Sequence, residues 1–221
     1  MRPISVKKNS HFRPGKFRLL LAVVGIVWVS AISFGMKLLA DYQSAPGKSA
    51  NTPQFWPAAT SLRPDSRHAN LVMLMHPRCP CSRASLAELE QIMTRCQNRI
   101  TAHVLFLAPK NFSADWPQTD FWRRAATIPG VLVMRDEDGR EAKRFGAETS
   151  GTVVLYDQRG GLLFRGGITA SRGHLGDNAG RQTVISLVTE GAARSKEAAV
   201  FGCPLFNPTS TCRDSSQPCR P

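Results

Sequence analysis

The sequence predicts an α/β domain with a mixed central sheet and helices on both faces, behind an N-terminal transmembrane helix. Three observations predict this class. An uncharged apolar stretch, Leu19–Met36, lies near the start of the chain. Apolar strand patterns then alternate with helical stripes, and two closely spaced strand patterns follow them. The 221 residues are 42% hydrophobic and 20% charged, which suits one globular domain with appendages.

The apolar stretch Leu19–Met36 has the length of a membrane span. At about 1.5 Å per residue it covers roughly 27 Å, close to the hydrocarbon thickness of a bilayer. Residues 1–18 carry six Lys or Arg side chains and no acidic residue, so the positive-inside rule keeps them in the cytoplasm and sends the rest of the chain outward. A cleaved signal peptide is the alternative, although the apolar core of a signal is usually shorter. The sequence therefore predicts a single-pass protein of the bacterial inner membrane, with its C-terminal domain in the periplasm.

The net charge of +13 includes this basic N-terminal cluster, and we expect it to mark membrane orientation and not nucleic-acid binding. Composition divides the chain into five expected parts. These are a basic cytoplasmic segment, a transmembrane helix, a linker, a folded domain and a tail containing cysteine and proline: residues 1–18, 19–39, 40–64, 65–195 and 196–221.

The folded domain is predicted to run β-α-β-α-β-α and then β-β-α. Continuous apolar runs such as ANLVMLM are typical of strands buried on both faces, and alternating strands and helices predict a largely parallel sheet. A terminal hairpin would add antiparallel edge strands. The expected elements after the first two strands and their helix are helix Asp120–Thr127, strand Val131–Met134, helix Glu137–Phe145, strands Thr152–Tyr156 and Leu162–Arg165, and a last helix capped by Asp177 or Asn178.

Two cysteines one residue apart follow the first strand, in the segment HPRCPCSRAS. Reactive groups on open α/β sheets gather at the carboxyl ends of strands. Because proline suits the first helical position, Pro80 predicts that Cys79 is the N-cap of the next helix, where the helix dipole would lower the pKa of its thiol. A competing capping box that begins at Ser85 would instead leave Cys79 and Cys81 in a preceding turn.

Four segments carry a family resemblance: HPRCPCSRAS, DEDGREAKRFGAETSGTVVLYDQRGGLLFRGG, GGITASRGHLGDNAG and VFGCPLF. Together with the order of elements over residues 65–195, they resemble the thioredoxin superfamily, and most nearly its membrane-anchored TlpA-like branch. A narrower similarity is to the thioredoxin-like proteins called RedB. The resemblance implies a thioredoxin-like fold with redox-active Cys79 and Cys81. From the local sequence, His76 and Arg78 would add positive potential beside the thiols, and Pro80 would set the geometry of the turn.

Two departures from that family qualify the implied chemistry. Thioredoxin-like enzymes usually have two residues between their cysteines, whereas here only Pro80 separates them. They also place a cis-proline before the strand that faces the cysteines, and Gly151 stands at the matching position here. In the family that proline shapes the peptide groove and keeps metals away from the thiols, so its absence strengthens a metal-binding hypothesis.

Three functions remain open from the sequence. In thiol–disulfide exchange, Cys79 would attack a disulfide of an envelope protein and Cys81 would resolve the mixed disulfide, with no cofactor beyond the redox-active pair. In the second hypothesis Cys79 and Cys81 bind a soft metal such as Cu(I) together with His76, and His174 is a further candidate ligand. In the third, the domain only binds partners and the cysteines form a structural disulfide.

The four other cysteines carry separate predictions. Cys96 continues the apolar stripe of the first domain helix, which is typical of a buried core thiol. Cys203, Cys212 and Cys219 form an odd set in an oxidising compartment. Two of them would pair and pin the tail, or Cys203 would fold back and resolve Cys79.

Overall fold

A computed structural model describes residues 14–206 of the chain, apart from the side chains of Pro14 and Lys16. The chain divides near residue 42 into two compact units. The first contains helix α1, Pro14–Ser44. Over residues 17–44 this helix is long and apolar enough to cross a membrane, and it is the one candidate span within residues 14–206. An N-terminal apolar helix is therefore present, as predicted.

The second unit is a five-stranded mixed sheet with helices on both faces, which confirms the predicted fold class. The strands lie in the order β3-β2-β1-β4-β5. The first three are parallel, whereas β4 pairs antiparallel with both β1 and β5. The bounds are β1 Ala69–Met75, α2 Ser82–Arg95, β2 Ile100–Ala108, α3 Asp120–Ala126, β3 Val131–Glu137, α4 Arg140–Arg144, β4 Thr152–Tyr156, β5 Leu162–Gly166 and α5 Ala179–Thr189.

Strand β1 is central and buried on both faces. Successive side chains of a strand point to opposite faces, so Leu71 and Met73 join one core cluster with α2 and α5. Val72 and Leu74 join the other cluster, with Phe145 and Tyr156. The carboxyl end of β1 is thus held in place by both cores, and it carries the turn that contains Cys79 and Cys81.

Helix α4 is shorter than the predicted Glu137–Phe145, because β3 continues through Glu137. Asp138 and Gly139 then adopt positive φ angles of 55° and 65°, which form a left-handed turn and interrupt the helical pattern. Asp136 accepts hydrogen bonds from the first backbone N–H groups of α4. At the other end of the domain, the predicted cap of α5 is confirmed: the Asn178 side chain accepts from the Arg181 N–H at 2.7 Å.

The segment before β1 packs on the domain. The Trp56 ring makes edge contacts with Phe145 and Tyr156, with ring centroids 5.3 Å apart in both cases. The Tyr156 hydroxyl donates to the Pro53 carbonyl oxygen at 3.0 Å. Trp56 therefore packs against the core cluster that contains Phe145 and Tyr156, and this part of the chain is not a solvated spacer.

Candidate functional site

Cys79 and Cys81 lie in the turn between β1 and α2. Helix α2 begins at Ser82, with Cys81 as its N-cap in an α-helical conformation. The prediction that Cys79 caps this helix is therefore wrong, and a start at Ser85 is wrong as well. Two backbone hydrogen bonds close the turn, each from an N–H to the carbonyl three residues earlier. The Cys79 N–H donates to the His76 carbonyl, and the Ser82 N–H donates to the Cys79 carbonyl. These backbone bonds occupy the position that a capping side chain would take.

Both cysteines of the turn are buried. Cys79 is 1% exposed and Cys81 is 8% exposed. The reason is the C-terminal segment, because partly exposed Cys203 lies against Cys79 with its Sγ 3.1 Å from the Cys79 Sγ. The site is covered by residues that lie more than a hundred positions away in the sequence.

The C-terminal segment reaches the site along the edge of the sheet. The backbone of Glu197 forms an isolated parallel β-bridge with Arg165 of β5, and the Ala198 N–H donates to the Arg165 carbonyl at 3.2 Å. The chain then passes Gly166 and Gly167 so closely that a Cβ at either position would meet the backbone of residues 198–200. Glycine at these two positions makes the passage of the segment possible.

Phe201–Leu205, which we call the docking segment, then pairs with the backbone just before β4. The Ser150 N–H donates to the Cys203 carbonyl and the Leu205 N–H donates to the Glu148 carbonyl, both at 2.8 Å. Thr149 and Pro204 form an antiparallel bridge. A Cβ at Gly202 would collide with the Ser150 carbonyl oxygen, so only glycine permits this approach. The docking segment is thus bound as a short antiparallel strand beside residues 148–150.

The cysteine cluster stabilises a thiolate at Cys79. Hydrogen bonds from the Cys203 and then the Cys81 side chains lower the pKa of Cys79 far below that of an ordinary thiol, against the opposing effect of burial. The same bond to Cys79 raises the pKa of Cys203. The bond with Cys203 acts to lower the pKa of Cys81, but the bond to Cys79, burial and the Cys79 charge outweigh it, so the pKa of Cys81 is raised. The cluster therefore favours a thiolate at Cys79 over one at Cys81 or Cys203.

His76 and Arg78 flank the cysteine turn. Burial lowers the pKa of His76, although the charge of Cys79 acts to raise it. The His76 ring makes an edge contact with Trp116 at a centroid separation of 5.6 Å, and its Nδ1 accepts from the Arg78 N–H at 3.2 Å. The Arg78 guanidinium lies over the Trp116 ring, 5.2 Å from its centroid. These contacts place the Arg78 guanidinium over the Trp116 ring and beside the cysteine turn.

Gly151 occupies the junction between residues 148–150 and β4. It has a φ of +87°, and its N–H donates to the Leu74 carbonyl at 2.8 Å. The preceding Ser150 hydroxyl accepts from the His76 N–H at 2.9 Å. Gly151 therefore lies beside the carboxyl end of β1, from which the cysteine turn begins.

The loop before α5 contributes Arg172, and its positive charge acts to lower the pKa of Cys81. Its Nη1 also donates to the Gly202 carbonyl of the docking segment. His174, the candidate extra ligand, is exposed on the same loop. The loop is fixed to α2 because the Gly176 N–H donates to the buried Glu88 carboxylate at 2.9 Å.

Metal binding was predicted to use Cys79 and Cys81 with His76. Within residues 14–206, no group of three or more His, Cys, Asp or Glu side chains has an arrangement that could hold a metal ion. Cys96 is fully buried in the first core, as its position in the apolar stripe predicts. Cys212 and Cys219 lie outside the described residues.

Among the residues near the cysteines, Cys203 and Arg172 have the weakest sequence signals for a place in the site. Arg172 stands in a Gly-rich loop with no periodic pattern, and Cys203 stands in a tail rich in Pro, Ser and Thr. The one signal for Cys203 is its setting in VFGCPLF, where a glycine and apolar residues surround a thiol in an otherwise polar tail.

The sequence matches no known family model and no curated protein sequence. Two solved structures are similar over most of the chain. An uncharacterized conserved protein from Geobacillus kaustophilus is 16% identical, with 76% of this chain and 95% of that chain covered and a TM-score of 0.53. A hypothetical protein from Sinorhizobium meliloti 1021 is 18% identical, with 73% of this chain and 96% of that chain covered and a TM-score of 0.52.

Three parallel strands followed by an antiparallel hairpin, with helices on both faces and a cysteine turn after the central strand, decide the architecture. The fold is thioredoxin-like. The exposed lipoprotein thioredoxin of Streptococcus pneumoniae strain TIGR4 also matches, at 15% identity and a TM-score of 0.42, over 57% of this chain and 86% of that chain. The narrower likeness to RedB stays a prediction.

Proposed function

We propose that this protein is a membrane-anchored, periplasm-facing thiol–disulfide oxidoreductase of the RedB-like kind, with Cys79 as its nucleophile. The observation that carries the proposal is the placement of Cys79 and Cys81 in the turn after the central strand, with the Cys203 Sγ 3.1 Å from the Cys79 Sγ; the lowered pKa of Cys79 supports it. A thiolate is the nucleophile in disulfide exchange, and a neighbouring thiol is needed to release the bound partner. The thioredoxin-like fold supports the proposal at the level of architecture only.

The exchange follows from these groups. The Cys79 thiolate attacks one sulfur of a substrate disulfide R–S–S–R′, forms the mixed disulfide Cys79–S–S–R and expels R′–S⁻. A second protein thiol then loses its proton, attacks the Cys79 sulfur and expels R–S⁻. Two electrons pass from the protein to the substrate, and the reverse sequence oxidises a substrate dithiol. Burial of Cys79 means that the docking segment must move before a substrate sulfur can reach it.

The proposed location also follows from charge and composition. Residues 1–18 are strongly basic and α1 is able to span a bilayer, so the domain would lie on the oxidising side of the membrane. Its partners would be thiols or disulfides of other envelope proteins.

A trapping experiment on the full chain tests the proposal. In the double variant Cys81→Ser, Cys203→Ser, Cys79 keeps no neighbouring thiol of the site, so its mixed disulfides should persist. We expect adducts of higher mass on non-reducing gels of bacterial membranes, and dithiothreitol should remove them. Additional replacement Cys79→Ser is the control, and it should abolish the adducts.

Two results would contradict the proposal. One is a double variant with no more adducts than the control. The other is the absence of adducts together with tight Cu(I) binding that Cys79→Ser removes, which would support the metal-binding hypothesis instead.

A further inference from the structure

The docking segment has the features of a bound substrate peptide. Phe201–Leu205 lies in antiparallel pairing with residues 148–150, through two backbone hydrogen bonds of 2.8 Å. An extended peptide that adds itself to an exposed backbone edge is a common mode of peptide recognition. The segment presents a cysteine sulfur at 3.1 Å from the Cys79 Sγ. The chain therefore supplies both the backbone and the sulfur that a substrate of this site would need.

We propose that Cys203, and not Cys81, is the disulfide partner of Cys79, and that the docking segment is a tethered peptide which displaces the substrate from residues 148–150. This inference rests on the proposed exchange function and names the resolving residue and the peptide-binding edge. The Cys203 Sγ already lies 3.1 Å from the Cys79 Sγ, so the docked segment holds it where it can attack the Cys79 sulfur. The bridge over one residue between Cys79 and Cys81 would close a small ring, which disulfide geometry disfavours.

The pairing upstream of the docking segment would allow the segment to rebind beside residues 148–150 after it dissociates. Its upstream part stays paired with β5 through Arg165 and Glu197, so the docking segment remains tethered near residues 148–150. A short tether gives a high effective concentration, which favours the returning segment over a free substrate peptide. Arg172 donates to the Gly202 carbonyl and so holds the docked position.

Electrostatics supports the order of events. While Cys79 is a thiolate, the hydrogen bond to it keeps the Cys203 proton in place. Formation of Cys79–S–S–R removes that negative charge and that acceptor. The Cys203 proton can then pass to the expelled R′–S⁻ or to water, and the Cys203 sulfur attacks Cys79 and expels R–S⁻. The products are the Cys79–Cys203 disulfide, the thiol R′–SH and the thiolate R–S⁻, which takes its proton from water, so atoms, protons and electrons balance.

Peptide mapping of the oxidised full chain tests which disulfide forms. Trypsin releases residues 79–83, which contain Cys79 and Cys81, and residues 197–213, which contain Cys203 and Cys212. In a Cys212→Ser, Cys219→Ser background, oxidised glutathione should yield residues 79–83 covalently joined to residues 197–213 as the main product. A main product with the disulfide inside residues 79–83 would overturn the inference.

Resolution of a glutathione adduct provides the second measurement, in the same background. We expect Cys203→Ser to retain glutathione on Cys79 at least tenfold longer than the background protein, whereas Cys81→Ser should resolve it at nearly the background rate. If only the Cys81→Ser variant retains glutathione on Cys79, then Cys81 is the resolving residue. The thiol–disulfide exchange function would stand in that case, but the assignment of Cys203 as the resolving residue would be wrong. No adduct on Cys79 in any variant would contradict the exchange function itself.

A glycine variant separates docking from chemistry, because it leaves every cysteine in place. Gly202→Ala adds a Cβ that collides with the Ser150 carbonyl oxygen, so the docking segment should release. We expect faster glutathione addition to Cys79 and slower resolution. Gly35→Ala, where the added methyl group meets open space in α1, is the matched control and should behave as the background protein. Unchanged rates in Gly202→Ala would contradict the role of docking.

Discussion

Two neighbouring side chains lower the pKa of the Cys79 thiol. Side-chain hydrogen bonding with Cys203 and then with Cys81 lowers the pKa of Cys79 and so favours its thiolate, although burial alone would favour the neutral thiol. Cys96 shows the effect of burial without such donors, since burial raises its pKa. The two buried cysteines therefore differ in hydrogen bonding, which lowers the pKa of Cys79, whereas burial raises that of Cys96.

Titration of the thiolate tests this at residue scale. The pKa of Cys79 is lowered, so its thiolate absorbance should persist as the pH falls well below the ordinary thiol pKa. Cys203→Ala removes the first donor and should shift the loss of absorbance to higher pH, whereas Cys203→Ser keeps a hydroxyl donor and should shift it less. Ultraviolet titration in a Cys212→Ser, Cys219→Ser background measures the shift. Equal curves for all three proteins would contradict the assigned cause.

At the scale of elements, the loop that carries Arg172 is fixed by a buried ion pair between helices. Glu88 of α2 is fully buried and pairs with Arg181 of α5, which is 6% exposed. The Gly176 N–H donates to the same carboxylate. This pair joins the helix behind the cysteine turn to the helix that follows the Arg172 loop, so it fixes the separation of two parts of the site.

Neutralising this ion pair should destabilise the domain. Glu88→Gln keeps the shape of the side chain but leaves Arg181 buried without its main counter-charge, and we expect a loss of about 3 kcal/mol in the free energy of unfolding. Glu90→Gln, on the exposed face of α2, is the matched control and should change stability by less than about 0.5 kcal/mol. Chemical denaturation of the full chain in detergent measures both. Similar losses in the two variants would show that burial of Glu88 is unimportant.

Local patterns predicted the elements better than the contacts between them. The strands, the hairpin and the Asn178 cap follow from short-range periodicity and capping chemistry, and each is found. The start of α2 was missed because backbone bonds within the cysteine turn, and not a capping side chain, lead into the helix. The approach of Cys203 to Cys79 was only one of two alternatives from the sequence, because its pairing with residues 148–150 is a long-range contact that no periodicity within the tail encodes.

At the scale of the whole molecule, the basic N-terminus and the apolar helix α1 would place the thioredoxin-like domain outside the cytoplasm. Protease accessibility tests this orientation. In a bacterial host the domain should be protected in intact cells and degraded when protease is added to spheroplasts, while a cytoplasmic marker protein stays intact. A domain that stays protected in spheroplasts would contradict the proposed orientation.

The 124 positions that separate Cys79 from Cys203 also have a thermodynamic consequence. A covalent link between these sulfurs would close a loop that includes the four strands β2 to β5, and loop-closure entropy then favours the folded state by about 5 kcal/mol. A link between Cys79 and Cys81 would close a loop of only three residues and contribute about 1.6 kcal/mol on the same basis. The resistance of the oxidised domain to heat would thus depend on which pair had joined, and electron transfer to the protein would lower it.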